Sequence, residues 1–339
     1  MKQVTKVHDH NEAISKLYDT GLTKGYSTGF AGLDELVSIK LGATTYVYGA
    51  PYSGKSEFWF QILVNLSKQF GLKHIIFSPE TGTPAEIFAE ILHKWSGLSF
   101  FEIESKQGRR MTEAEMFRIQ QEVGEYFYII DPGVKDVTMD DFYKLIDETE
   151  SEHACKISTI TTDPFNEVKH QLDGEARDMY MERVLGKVRA QARERNIHHC
   201  IVMHVSNQKD QQMRDKDSGT FYYPPADPRR IANGEAAFRK GEQMICVYRP
   251  NHQMNDADGT PFAKNEAHII VQKSKPKGVG QTGQVNMYFD AGRNQYYEYY
   301  NGNKQFSFGE FEAPKPLQPE PLTPSKNFNP EPNDTEIPF

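Results

Sequence analysis

Residues 49–56 read GAPYSGKS, a full match to G-x-x-x-x-G-K-[ST], and the flanks of this stretch decide what kind of fold it sits in. The run before it, 44–48, is β-branched and aromatic, and the run after it, 57–70, has helical spacing. A strand that enters such a loop and leaves it as a helix lets Gly49 and Gly54 curl the backbone, so that successive N–H groups and the positive end of the helix face one point. That arrangement cradles phosphates. Lys55 would neutralise the β- and γ-phosphates of a nucleotide and Ser56 would hold Mg²⁺, while Ala50, Pro51, Tyr52 and Ser53 supply the rest of the loop.

Around this loop strand-like and helix-like runs alternate. Strand candidates are TTYVYG at 44, HIIFSPE at 74, YFYIID at 126, ISTITTD at 157, HHCIVMHVS at 198, MICVYRP at 244, HIIVQKS at 268 and VNMYFD at 285. Helical segments are predicted near 57–70, 84–96, 112–124, 138–150 and 175–195, and a short amphipathic one over 11–18. The alternation predicts an α/β fold with crossover units and a mostly parallel central sheet. The closely spaced last strands predict an antiparallel C-terminal extension. The expected organisation is an N-terminal helix and connection over 1–30, an ATPase core over 31–301 and a tail over 302–339. That tail, dense in Pro and acids, has too few core-forming residues to offset its ordering entropy and is expected to be disordered or extended.

Composition narrows the function classes. The 339-residue chain carries a formal net charge of −8, which argues against a surface coated in positive charge but leaves room for a local basic channel. No apolar run approaches the ~18 residues of a membrane helix, and MKQVTKVHDH has no apolar secretion segment. The expectation is a cytoplasmic protein with no membrane partner. Cys155, Cys200 and Cys246 lie far apart and suggest neither a disulfide framework nor a zinc site.

Three further residues belong with the loop if the sheet is parallel, because the carboxyl ends of parallel strands converge on one crevice. Asp163 ends ISTITTD and is either the second acid on the metal or, standing before Pro164, a turn former. Glu80 ends HIIFSPE and is either a general base for an attacking water or a solvated strand-end acid. His204, in CIVMHVS, is either a hydrogen-bond partner of the γ-phosphate or a satisfied core histidine. A long segment, 207–235, is punctuated by Gly and Pro. It holds Lys209, Arg214, Lys216, Arg229 and Arg230 beside Phe221, Tyr222 and Tyr223, with acids interleaved; it is either a cationic lining for a single strand or an ordinary solvated loop.

Taken together these stretches resemble the RecA-like motor domain of hexameric replicative DNA helicases of the Twinkle and DnaB type, including phage helicases. The likeness runs from about residue 12 to about 298. It rests on ISKLYDTGLTKGYSTGFAGLDEL leading into the loop, on FSPE, TTDPFNEV, VMHVSNQKD and NGEAAFRKGEQMICVYRPN, and on VQKSKPKGVGQTGQVNMYFD. The resemblance implies ATP and Mg²⁺ as ligands, Lys55 and Ser56 as the Walker A pair, Asp163 as Walker B, Glu80 as the catalytic glutamate and His204 as the sensor of the γ-phosphate. It implies a ring, a hexamer in the family, that moves 5′ to 3′ on single-stranded DNA gripped by segments near 165–180 and 207–235.

In the family a neighbouring subunit's Lys-x-Arg motif reaches the γ-phosphate. Here the stretch is Lys273-Ser274-Lys275, so the finger position is Lys275, with Arg249 as the other candidate. Lysine supplies the charge without the planar fork of an arginine. The segment 12–19 resembles the linker helix that packs on an adjacent protomer. The N-terminal segment leaves no room for a primase domain, so priming is expected from a separate protein. The last six residues, DTEIPF over 334–339, resemble acidic, Phe-terminated tails that dock replication proteins such as a polymerase, a primase or a single-stranded DNA-binding protein. Two other readings stay open, a RecA-type recombinase forming filaments and an ATP-dependent loader or regulatory ATPase.

Overall fold

The structure, a computed structural model, describes residues 4–22, 24–102, 109–131, 133, 136–205, 212–216, 218–231, 234–256, 258–276 and 279–307. Its centre is a ten-stranded sheet in the order β12-β11-β10-β9-β8-β1-β5-β4-β2-β3. The strands are β1 (Thr44–Gly49), β2 (His74–Phe77), β3 (Phe127–Ile129), β4 (Thr159–Thr162), β5 (His198–His204), β8 (Gln243–Tyr248), β9 (Glu266–Ser274), β10 (Gly283–Asp290), β11 (Gln295–Tyr300) and β12 (Asn303–Phe306). From β8 across to β3 all neighbours are parallel. The strands β8 to β12 pair antiparallel, which is the extension expected from the sequence.

Helices link the strands: α3 (Lys55–Phe70), α4 (Pro84–Ser96), α5 (Glu113–Gly124), α6 (Met139–Glu152), α7 (Arg177–Arg195) and the short α8 (Gly234–Lys240). Their starts are written locally. Thr83, Thr112 and Thr138 each cap a helix reciprocally with the acid three residues into it, Glu86, Glu115 and Asp141. Such a box satisfies donors that the first turn leaves unpaired, at about 1 kcal/mol per cap. Glycines in the left-handed region, Gly71 and Gly97, end α3 and α4, where a Cβ would be strained.

Period-two alternation sends side chains into two cores. Val47, Cys200, Val202, Ile245 and Val247 face α3, α4 and α5. Tyr46, Tyr48, Ile201, Met203, Met244 and Cys246 face α6, α7 and α8. A sheet covered on both faces is why these strands read as nearly continuous apolar runs.

Three expectations shift. The compact unit begins at Lys24, ahead of residue 31, because Tyr26 and Phe30 join the core and Tyr26 bridges to Ile39. At the other end, the region expected to be tail from 302 contributes β12 and the buried Ser307, which accepts a hydrogen bond from Gln61. The strands β11 and β12 escaped the sequence reading because QYYEYY and NKQF have no aliphatic alternation. The segment 207–235 is also not loop throughout: β6 (Met213–Arg214) and β7 (Phe221–Tyr222) form a two-stranded hairpin, and α8 starts at Gly234. Taken by itself, the N-terminal segment forms α1 (Asn11–Thr20), on which Ile14, Leu17 and Tyr18 are exposed.

Candidate nucleotide site and its nucleic-acid loops

The loop 50–54 leaves β1 at Gly49 and enters α3 at Lys55. A side chain at Gly49 would run into the Val247 carbonyl, and one at Gly54, which sits at φ +88°, would come within 2.5 Å of the Tyr296 hydroxyl. Both positions therefore require glycine. Tyr52 takes the left-handed conformation at φ 61° with its ring fully at the surface. Lys55 is buried and its Nζ donates to the Ala50 carbonyl at 2.9 Å; burial pulls its ammonium below the ordinary lysine range, opposed by Asp163 and Glu80.

Register brings the other candidates to the same edge. Gly49 pairs with His204 across β1 and β5. Thr162 lies between Ile201 and Phe77, so Asp163 follows directly and its N–H donates to the Phe77 carbonyl at 2.8 Å. Asp163 is only 5% exposed. Burial raises its carboxyl above the usual range, while a hydrogen bond with Ser56 and the charge of Lys55 lower it. Glu80 lies in the turn beyond β2 and its Oε2 is 3.1 Å from His204 Nε2. Lys55, Ser56, Glu80, Asp163 and His204 thus form one cluster at the loop edge of the sheet.

The cluster has unfilled hydrogen-bonding capacity. Among the described residues, Asp163 Oδ2, Ser53 Oγ and His204 Nδ1 are buried and have no hydrogen-bond partner. A buried carboxylate oxygen with no donor is costly, and the pair Ser56 and Asp163 offers the oxygen ligands that Mg²⁺ prefers. The residues present therefore fit a magnesium ion.

The polar residues of β4 have a separate explanation. Thr159, Thr161 and Thr162 are fully buried, yet each hydroxyl is matched: Thr159 with His74 Nδ1 at 2.7 Å, Thr161 with Trp59 Nε1 at 2.8 Å and Thr162 with His199 Nε2 at 3.0 Å. Paired in this way, hydroxyls can line a buried strand without penalty.

Lys275 is not brought to this cluster within one chain. Ser274 pairs with Gln243 at the start of β8, the opposite end of the sheet from the loop after Gly49, and Lys275 is exposed there. Its neighbour Lys273 lies over the Phe238 ring at 4.7 Å. Arg249 is nearer the loop. Together with Gly49–Ser53, Phe221–Pro224 and Tyr248 it lines a cavity of about 250 Å³, and its guanidinium donates to the Lys264 carbonyl at 3.0 Å.

Of the residues expected to hold DNA, Arg214 and Lys216 are exposed on or beside the hairpin of β6 and β7, with Arg214 stacked 5.7 Å over Phe221. Arg229 and Arg230 are exposed ahead of α8, Arg229 lying 4.5 Å over Phe238. Lys209 and the docking tail 334–339 lie outside the described residues. Tyr296, whose hydroxyl sits under Gly54 and hydrogen-bonds its carbonyl at 3.4 Å, was missed by sequence reasoning; its only local signal was the aromatic run beside a turn.

The solved structures with this architecture include an ATPase domain that matches at a TM-score of 0.62 and 16% identity over 86% of this chain and 95% of that one. A DnaB-like replicative helicase, described with its interactions with primase, matches at a TM-score of 0.64 and 15% identity over 87% and 67%. The fold is the RecA-like ATPase fold of DnaB-type helicases. In sequence, the chain is similar to the Twinkle homolog protein, chloroplastic/mitochondrial, of Arabidopsis thaliana, 27% identical over 293 residues. That covers 85% of this chain and 39% of the relative, so the chain spans about two fifths of the curated relative's length. No family model matches. Among the described residues no helix is long and apolar enough to cross a membrane.

Proposed function

We propose that the chain is an ATP-driven, ring-forming replicative DNA helicase that translocates 5′ to 3′ on single-stranded DNA. The observation that carries this reading is the convergence of Lys55, Ser56, Glu80, Asp163 and His204 on the loop edge of the sheet. The phosphates of ATP lie on the loop amides and against Lys55. Ser56 and Asp163 would hold Mg²⁺, which when bound neutralises charge developing on the phosphate oxygens. Glu80 takes the proton of the attacking water, and His204, hydrogen-bonded to it, keeps its carboxylate aimed.

His204 leads through Val205 into the segment that carries the hairpin of β6 and β7, so a change at the γ-phosphate is felt where Arg214, Lys216, Arg229, Arg230 and Lys209 are proposed to hold DNA phosphates. Lys275 stands too far from its own loop to act there and serves the site of the next protomer, with α1 as the linker between protomers. The organisation proposed is an N-terminal linker segment, a single motor core and a tail whose end, 334–339, docks a replication protein.

The test is ATP turnover with and without single-stranded DNA, followed by unwinding of a forked duplex and electron micrographs with a non-hydrolysable nucleotide. Stimulated turnover, unwinding and closed rings are expected. Stimulation with filaments and no unwinding would make the chain a recombinase, and turnover indifferent to DNA would make it a loader or regulatory ATPase.

A further inference from the structure

The antiparallel extension has two unlike faces. Val285, Met287, Phe289 and Tyr296 turn inward to the core beside α3. The alternate positions carry Tyr288, Tyr297, Tyr299 and Phe306 on the other face of three neighbouring strands. Tyr297 pairs in register with Tyr288 on one side and Phe306 on the other. Ring centroids lie 5.5 Å apart for Tyr288 and Tyr297, 5.4 Å for Tyr288 and Tyr299, 5.8 Å for Tyr297 and Tyr299, and 5.1 Å for Tyr297 and Phe306. Tyr299 is 57% exposed.

Two cations rest on these rings. Lys304, in register with Tyr299, lies 4.0 Å from the Tyr297 centroid and 4.8 Å from that of Phe306, and Arg293 lies 4.6 Å from Phe306. Both are exposed, and among the described residues neither makes an ion pair with a carboxylate. Cross-strand ring pairs stabilise a sheet, but that role does not call for unpaired cations over the rings. Exposed cation–π contacts are weak and yield readily to a phosphate.

We propose that this face is a stacking platform for single-stranded DNA, separate from the nucleotide site and from the loops near 207–235. Bases lie against Tyr299 and the paired rings of Tyr288 and Tyr297, and Lys304 and Arg293 move from the rings to the backbone phosphates. Every base presents a π face, so such a platform is indifferent to sequence and suits a protein that tracks along a strand. The charge of the two cations complements phosphates, and an ammonium reaching from the edge strand β12 over the central ring, Tyr297, is unlike the core of an interface between protein copies, where lysine is depleted. The platform needs no ATP, so its failure and that of the motor reading are separable.

Fluorescence anisotropy of the full chain without nucleotide, using a labelled oligothymidylate of about 16 nucleotides, tests this. In an Arg214→Glu/Lys216→Glu background, DNA binding should persist. Adding Tyr299→Ala and Lys304→Glu should weaken it at least about tenfold, the scale of one lost base stack plus a phosphate contact, whereas Tyr299→Phe should leave it unchanged. An abasic strand of equal charge should bind about as weakly as the quadruple variant binds DNA. The proposal is overturned if the Arg214/Lys216 variant alone binds no DNA, if the quadruple variant binds within about twofold of its background, or if the abasic strand binds as well as oligothymidylate. It is equally overturned if the Tyr299 and Lys304 changes leave DNA binding intact but shift the sedimentation of the protein, which would make the face a contact between copies.

Discussion

At the scale of single residues, Glu80 and Asp163 are two carboxylates in contrasting surroundings. Glu80 is solvent-accessible and held by His204, while Asp163 is buried beside Lys55 and Ser56. The exposed acid can exchange a proton with water and the buried one can hold a metal. Glu80→Gln should therefore keep nucleotide binding while turnover falls at least about 100-fold, the usual size of a general-base effect. A steady-state ATPase assay showing a drop of less than about threefold, under ~1 kcal/mol in barrier, would sink that role. Thr161→Val tests the packing of β4. It removes the acceptor of the buried Trp59 N–H, and urea denaturation should reveal a loss of about 1–3 kcal/mol.

At the scale of elements, the end of β9 and the loop after β1 stand at opposite ends of the sheet. Lys275→Ala should bind ATP normally and hydrolyse it poorly. Mixing it with Lys55→Ala chains should restore part of the activity, because some interfaces then join an intact loop to an intact lysine. If Lys275 acted within its own chain, the mixture would be as inactive as either parent. The hairpin of β6 and β7 is a further independent element, tied by Arg214 over Phe221. Arg214→Glu with Lys216→Glu should leave basal ATPase within about twofold and remove its stimulation by single-stranded DNA, since only phosphate contacts are reversed.

For the whole molecule, three buried histidines link stability to pH. Burial pushes His74 and His199 down to about 3 and His198 down to about 4. In the unfolded chain each titrates near 6.5. The unfolded state therefore binds more protons below that value, so stability is fully present above about pH 6.5 and is lost as pH falls toward the folded values. Each histidine contributes on the order of 1–2 kcal/mol of loss by pH 5. Melting temperatures between pH 7.5 and 5 should fall steadily, and a flat profile would show that these rings take up protons in the folded state as readily as in the unfolded one.

Much of this protein was legible locally. The loop 49–56, the alternation that makes a parallel sheet, the approximate extents of α4, α5 and α6 and the strand-end positions of Asp163 and His204 all follow from signals within a few residues. Tertiary structure decided the rest, because it depends on partners far away in the chain. Polar TITT became a core strand only because Trp59, His74 and His199 meet its hydroxyls. Residues 303–306 became a strand only because β11 offers an edge. Lys275 lies away from its own nucleotide loop because β9 runs antiparallel to β8, and strand direction is set by how the whole sheet assembles, since no short stretch of sequence records which way its neighbour runs.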